Sequence, residues 1–382
     1  FFDPIAPASP FFLPKGAQVM NSLIDYVKEL YVKYGYQEVM TPQIFNTELW
    51  KRSGHLDAYS ENMYFVDVDE REFGVKPMNC PAAAMLYLAD SHSYRELPMR
   101  LADFGRLHRN ERSGVTHGLT RVRSFVQDDA HIFCTLDQIG DEINSFLKML
   151  SEAYDTLGFD SYRLELSLRP EKRVGTDEMW DTAEKALTEL LDTSGVEYTS
   201  EAGEGAFYGP KIDIFVPDAI GRDWQLGTVQ LDFSLPERFD MEYAAEDGTR
   251  QRPVVVHRAM YGSLERFLGV LIEHLSGAFP LWMAPVQAVV VPIADRHIDF
   301  CNEVGVKLKA AGIRVSVDDS NDRMNSKIRQ AQLQKVPYML VAGDQEIEAG
   351  TVAVRTRTGE NLDPMTVDEV VDKFLKQIEE RS

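Results

Sequence analysis

The stretch RVRSFVQDDAHIF, residues 121–133, has residue types and a spacing that could do chemistry. In a strand, side chains two positions apart share a face. The odd positions are Arg121, Arg123, Phe125, Gln127, Asp129 and His131. The even positions are Val122, Ser124, Val126, Asp128, Ala130 and Ile132. One face would pack; the other would offer two cations, a ring, an amide, a carboxylate and an imidazole. The plain alternative is the solvated face of an antiparallel sheet. Such faces are usually Lys, Glu and Thr mixtures, whereas this row is graded from cation to imidazole and reads as a binding floor. From Met99 to Arg123, arginines 100, 106, 109, 112, 121 and 123 face only Asp103 and Glu111, a net +4 in a chain of net charge −21. That local reversal predicts an anionic ligand.

The elements that must position these residues follow from periodicity. Residues 16–35 carry Val19, Leu23, Val27, Leu30 and Tyr34 on one helical face and stop at Gly35. YQEVMTPQIF reads as a strand interrupted by Pro42. Residues 101–111 and 121–133 read as two strands of a long hairpin joined by RSGVTHGLT. DEINSFLKMLSEAYDTLG, DEMWDTAEKALTELLDTSG and GSLERFLGVLIEHLSG read as amphipathic helices, the last with Leu264, Phe267, Leu268, Leu271 and Leu275 as its stripe. YRLELSLRP, KIDIFVPD and WQLGTVQLDFSLP read as strands. Hairpin strands flanked by helices predict an antiparallel α+β domain.

Near FPLWMAPVQ the pattern changes. AVVVPI, IRVSVDD, PYMLVAG and TVAVRTR alternate with three helical segments, which predicts a smaller, mostly parallel α/β domain. The expected division is 1–284 and 285–382. From Val286 onward there are 13 Lys+Arg and 16 Asp+Glu, a balance of −3, so the remaining −18 lies in the first part.

Composition bounds the rest. The 382 residues are 44% hydrophobic and 26% charged, ample for one large core and a smaller one. No apolar run reaches the ~18 residues of a membrane helix, so no membrane partner is expected. Cys80, Cys134 and Cys301 do not make a disulfide framework, and a reducing cytoplasmic compartment is the expectation, with an organellar matrix as the alternative. The chain opens FFDPIAPASPFF without Met, as a core taken from a longer protein would. There is no GxxxxGK[ST], and GEGAFYG lacks both the spacing and the strand-to-helix context of a dinucleotide fingerprint.

The ordered set of segments resembles the class II aminoacyl-tRNA synthetases, and among them the threonyl-tRNA synthetase family. YGYQEVMTP resembles motif 1, FGRLHRNERSGVTHGLTRVRSFVQDDAHIF motif 2 and HRAMYGSLERFLGVL motif 3. KPMNCP, RPEKRVGTDEMW, GEGAFYGPKID, GTVQLDFSLP and VPYMLVAGDQE look threonyl-specific. The family often has Gly-His after MNCP, where Ala82 and Ala83 stand here. The resemblance implies a catalytic domain over 1–284, an anticodon-binding domain over 285–382 and an editing region upstream of this stretch. It implies a homodimer with the motif 1 proline at the interface.

The resemblance also implies an activity: ATP-dependent activation of L-threonine and its transfer to tRNA(Thr). Arg109 would meet the α-phosphate, Arg121 the distal phosphates, and Arg266 would clamp the nucleotide. Phe125 would stack on adenine and Glu111 accept from its amino group, with Gln225 and Thr228 completing the ATP site and Mg2+ accompanying ATP. Gln225 falls out of register with Thr228 and Gln230 across Gly227, as at a bulge. Gln127, Asp129, Tyr208, Lys211 and Gln230 would meet the amino acid. One zinc would be held by Cys80, His131 and His257, whose separations of 51 and 126 carry no metal signal themselves. Asp129 would accept the threonine hydroxyl proton. His55 would serve transfer to tRNA, a surface histidine being the alternative. Lys327, Arg329, Glu346, Arg355 and Arg357 would read or anchor the anticodon. Rival expectations are prolyl or seryl specificity, a non-catalytic tRNA-binding relative, and a generic ligand-binding protein.

Overall fold

The computed structural model describes residues 1–194 and 196–382. Internal packing divides them into two units, residues 1–11 with 26–271 and residues 12–25 with 272–382. The helix Pro14–Tyr34 buries Val19, Leu23, Val27 and Leu30 and stops where Gly35 takes φ +74°, a conformation that favours glycine.

The first unit is α+β, built on a nine-stranded sheet. Across it run Gln37–Glu38, Met99–Asp103, Ser124–Cys134, Val254–Ser263, Asp223–Asp232, Lys211–Pro217, Arg163–Ser167 and Tyr198–Glu201. Arg106–His108 pairs separately with the 124–134 strand. Only the outermost pairs, 37–38 with 99–103 and 163–167 with 198–201, are parallel. The expected antiparallel hairpin is present, with two changes. The first strand breaks at Phe104–Gly105, where a Cβ on Gly105 would lie 2.3 Å from Asn79 Oδ1 and 2.6 Å from Lys76 Nζ, so the position takes glycine. The second strand begins at Ser124, which leaves Arg121 and Arg123 in the connecting loop.

The even face of the 124–134 strand packs as expected, with Ala130 and Ile132 fully buried. Asp128 is buried there too, with a partner not visible in the local sequence. Arg258 Nη1 donates to its carbonyl at 2.9 Å, and its carboxylate accepts from the N–H of Met260 and Tyr261. The Arg258 guanidinium lies 4.1 Å from the Tyr36 ring and 3.6 Å from the Asp128 carboxylate. A buried cation of this kind is tolerable only with such partners. Helix Ile139–Thr156 packs here, with the Phe146 ring 5.8 Å from the Arg258 guanidinium and the Tyr154 hydroxyl donating to Met260 O at 2.9 Å, while Phe267 of helix Leu264–His274 stacks on Tyr261 at 4.0 Å.

WQLGTVQLDFSLP is a strand only to Asp232. There Asp232 Oδ1 accepts the N–H of Ser234 and Leu235 and starts the helix Ser234–Arg238. The hairpin Tyr64–Val68 with Arg71–Val75 was not foreseen. Its turn residues Asp69 and Glu70 both take positive φ without an Asn-Gly signature. The helix Cys80–Tyr87, opened by Pro81, was also not foreseen.

The second unit carries a five-stranded sheet in the order Val315–Val317, Ala288–Pro292, Tyr338–Ala342, Thr351–Thr356, Met365–Thr366. The first three strands are parallel, Thr351–Thr356 runs against them, and Met365–Thr366 pairs antiparallel to that strand and so runs with the first three, a mostly parallel sheet as expected with one reversed strand. Helices Ile298–Ala310 and Val367–Glu380 bury Cys301, Val304, Leu308, Val370 and Phe374 on one face, and Met324–Leu333 buries Ile328 and Ala331 on the other.

Candidate active site

Two rungs of the large sheet make the site. The first runs Leu101, His131, His257, Gln230, Lys211, Ser167, each the direct cross-strand partner of the next. The second, two residues along, runs Asp103, Asp129, Ala259, Thr228, Asp213, Glu165. Residues two apart share a face, so both rungs look out of the same side.

A cleft over one end is lined by Arg109, Glu111, Arg121, Phe125, Gln127, Gln225, Thr228 and Arg266, among others. Arg121 is paired with Glu111 at 3.0 Å. The Arg109 guanidinium lies 5.0 Å from the Phe125 ring centroid. Arg266 is held by Thr120 O at 2.7 Å from Nε and Gln225 O at 3.0 Å from Nη1. Burial, with Arg121 and Arg109 nearby, lowers its pKa. The arginine cluster thus needs correcting. Arg100 is spent on a two-pronged pair with Glu142 and Arg112 on Glu61. Arg106 approaches Glu265 at 3.9 Å, and Arg123 Nε donates to Glu111 O. Only Arg109 and Arg121 of the six line the cleft, and the third cation, Arg266, comes from the 264–274 helix.

The expected bulge is present. Ile214 pairs with Gly227 and Phe215 with Gln225, so Leu226 is extra. The bulge re-aims Gln225, whose Nε2 donates to Asp213 Oδ1 at 2.6 Å beside Thr228 Oγ1 at 2.9 Å. Lys211 Nζ rests on the other Asp213 oxygen at 2.5 Å and lines neither pocket of the site. Asp213, buried and holding three expected site residues, was missed. Its only sequence signal is a carboxylate on the inward-facing alternation of KIDIF.

A second, adjoining pocket is lined by Cys80, Gln127, Asp129, Tyr208, Gln230 and His257. Cys80, His131 and His257 are buried and offer ligand atoms all within 4.8 Å of one another. His131 Nε2 and His257 Nδ1 have no hydrogen-bond partner. His257 Nε2 faces Asp232 Oδ2 at 3.0 Å. Burial alone would lower the His257 ring; the Cys80 sulfur and the Asp232 carboxylate reverse this and raise it to about 10. Burial pushes the Cys80 thiol up and holds His131 well below its usual range. Burial also pushes the Asp129 carboxyl up to about 6, against the pull of His257 and Asn79. Tyr208 hydroxyl donates to Gln230 Oε1. His55 is buried behind this pocket, not on the surface. Ser53 Oγ is 2.8 Å from its Nδ1, its Nε2 has no partner, and burial lowers it to about 3.

The five expected anticodon residues are not equally placed. Arg329 is exposed on the 324–333 helix. Lys327, on the same helix, is buried with Nζ donating to Asp318 O at 2.8 Å. Glu346 caps its own helix by accepting the Gly343 N–H. Arg357 Nη1 donates to Phe279 O at 2.6 Å, and Arg355 Nη1 to Asn361 at 3.5 Å.

Residues 64–275 match the class II tRNA synthetase core domain shared by the G, H, P, S and T enzymes, and residues 287–377 match the anticodon-binding domain. The threonine–tRNA ligase of Bdellovibrio bacteriovorus is 52% identical over all of this chain, which covers 58% of that protein. That of Thermotoga maritima is 50% identical over 98% of the chain, again covering 58% of its own length. The crystal structure titled the RNA binding domain of threonyl-tRNA synthetase from Cryptosporidium parvum Iowa II superposes with a TM-score of 0.95 at 46% identity, covering 98% of this chain and 95% of that one. The chain belongs to the threonyl-tRNA synthetase family of class II synthetases, and it spans about three fifths of the length of the curated relatives it matches.

Proposed function

We propose that this chain is the aminoacylating part of a threonine–tRNA ligase, with residues 1–284 catalytic and 285–382 binding the anticodon. The observation that carries the reading is the adjacency of an arginine-lined cleft to a buried Cys–His–His cluster on two rungs of one sheet. In the first step a threonine carboxylate oxygen attacks the α-phosphorus of ATP, the bond to the β-phosphate breaks, and pyrophosphate leaves. In the second, a hydroxyl of the terminal tRNA ribose attacks the carbonyl carbon and AMP leaves.

The carboxylate is already a nucleophile, so the residues act by position and charge. Arg109 neutralises the α-phosphate, Arg121 the distal phosphates, and Arg266 holds the nucleotide from its helix, with Mg2+ accompanying ATP. Phe125 stacks on adenine, Glu111 accepts from its amino group, and Gln225 and Thr228 hold the ribose side through their anchor on Asp213. Gln127, Tyr208 and Gln230 line the threonine side, and Lys211 acts from behind it through its pair with Asp213. His55 serves the transfer step from behind the pocket. Arg329 is the exposed candidate for anticodon contact, and Lys327 and Glu346 support that domain from within it.

The Cys80, His131 and His257 donor set fits zinc: two orphaned ring nitrogens and a thiol converge, and Asp232 orients one imidazole from behind. Zinc bound by three protein atoms would offer an open position to the amino and hydroxyl groups of threonine. Asp129 accepts the hydroxyl proton. Valine is the isostere lacking that hydroxyl, and a site built around it rejects valine by about 10⁴-fold, whereas serine, one methyl smaller, is rejected by roughly 10–200-fold. The protein acts as a homodimer on tRNA(Thr), in the cytoplasm.

The test is amino-acid-dependent ATP–pyrophosphate exchange with threonine, serine, valine and proline, before and after zinc chelation. Strong exchange with threonine, some with serine and almost none with valine, lost on chelation, supports the reading. Exchange with proline or valine, or indifference to chelation, overturns it.

A further inference from the structure

The MNCP segment supplies Cys80 to the metal cluster, but its asparagine has no part in that role. Asn79 occupies the residue before the helix Cys80–Tyr87, where asparagine ordinarily caps. Here it makes no side-chain cap. Its Nδ2 instead donates to Asp129 Oδ2 at 3.0 Å and lies 3.4 Å from Asp103 O. The side chain is almost wholly buried, and its Oδ1 has no hydrogen-bond partner. An unsatisfied buried acceptor costs about 1–3 kcal/mol. The break between the 99–103 and 106–108 strands also gives up a side chain here, since a Cβ on Gly105 would lie 2.3 Å from Asn79 Oδ1.

Two stabilising options, a cap and a partner for Oδ1, are forgone to keep one N–H on one carboxylate. That carboxylate lines the threonine-side pocket. Asp129 stands directly across from Asp103 in the sheet, so without a donor its oxygens would face a second carboxylate.

We propose that Asn79 is a positioning residue for hydroxyl recognition. It ties down Asp129 Oδ2 and so presents Oδ1 to the substrate hydroxyl. The inference rests on the threonine reading given above. It predicts that losing the Asn79 N–H weakens only substrates that carry the hydroxyl. Valine makes no such contact and has nothing to lose.

The experiment compares the wild-type chain with Asn79→Asp, which keeps the shape but removes the donor, and with Asn79→Ala. Gly105→Ala serves as an independent variant that pushes the intact asparagine off Asp129. Each is loaded with zinc, assayed for zinc content and folding, and measured in pyrophosphate exchange against threonine, valine and ATP. A charge-assisted hydrogen bond is worth about 1.5–3 kcal/mol, or roughly 10–150-fold. The expected result is a threonine KM raised about tenfold or more, an ATP KM within about twofold, retained zinc, and a threonine-to-valine ratio lowered about tenfold or more in any variant that folds. A ratio unchanged in folded variants overturns the inference and leaves the threonine reading standing. Loss of zinc in parallel with activity also overturns it, since Asn79 would then act only by holding Cys80. Absence of threonine-dependent exchange in the wild type overturns both.

Discussion

Arg266 is the cation whose placement owes most to its surroundings, because two backbone carbonyls fix the guanidinium over the cleft. A lysine there keeps the charge and loses the fork. Arg266→Lys is therefore expected to lower kcat for pyrophosphate exchange by about 10²-fold, with thermal unfolding little changed, as read by steady-state kinetics and calorimetry. Asp232 performs two tasks with two oxygens: Oδ1 caps a helix and Oδ2 holds His257. Asp232→Asn keeps an oxygen for the cap but removes the charge behind the imidazole. Zinc affinity is expected to fall about 10–100-fold while the fold persists, measured by competition with a chelator.

The 223–232 and 254–263 strands shape the cleft through irregularity. Leu226 is extra against the 211–217 strand, and the pairing of 254–263 with 124–134 shifts between Ala259 and Ser263. The two departures touch: Gly262 takes φ +66°, and a Cβ on it would lie 2.2 Å from Leu226 O. Gly262→Ala is expected to destabilise the protein by about 2 kcal/mol or more and to weaken ATP binding, because the displaced Leu226 carries Gln225 with it. Thermal unfolding and ATP titration check the two effects separately. A variant that loses stability while binding ATP normally would separate the bulge from the site.

At the scale of the molecule, the chain is acidic, with 61 Asp+Glu against 40 Lys+Arg. The proposed contact with a tRNA backbone would therefore have to come from local patches and fall with salt. None of the described helices is long and apolar enough to cross a membrane. Met40, two residues before the motif 1 proline Pro42, is 85% exposed, an apolar side chain suited to the proposed homodimer. Met40→Asp is expected to shift the protein toward monomer in sedimentation equilibrium while leaving its melting transition almost unchanged, since the side chain makes little contact within its own chain.

Local pattern was enough for much of this protein. The alternation of 121–133 assigned Phe125, Gln127, Asp129 and His131 to one face and packed Ala130 and Ile132 on the other, because a strand's period of two is a property of the backbone. The glycine in GTVQ announced a bulge for the same reason. The long helices Pro14–Tyr34, Ile139–Thr156, Asp177–Ser194 and Leu264–His274 were legible from apolar spacing, whereas the short Cys80–Tyr87 was not. The partners of those residues were not. Which arginines face the cleft depended on carboxylates far along the chain, Glu142 for Arg100 and Glu61 for Arg112. That Lys327 turns inward was set by one carbonyl of a preceding strand's end. Cys80, His131 and His257 carried no metal spacing in the sequence, yet the register of two antiparallel strands places the histidines directly opposite one another. Sequence determines what each strand can present on a face; only the pairing of strands, set by packing on both sides of the sheet, decides which faces meet.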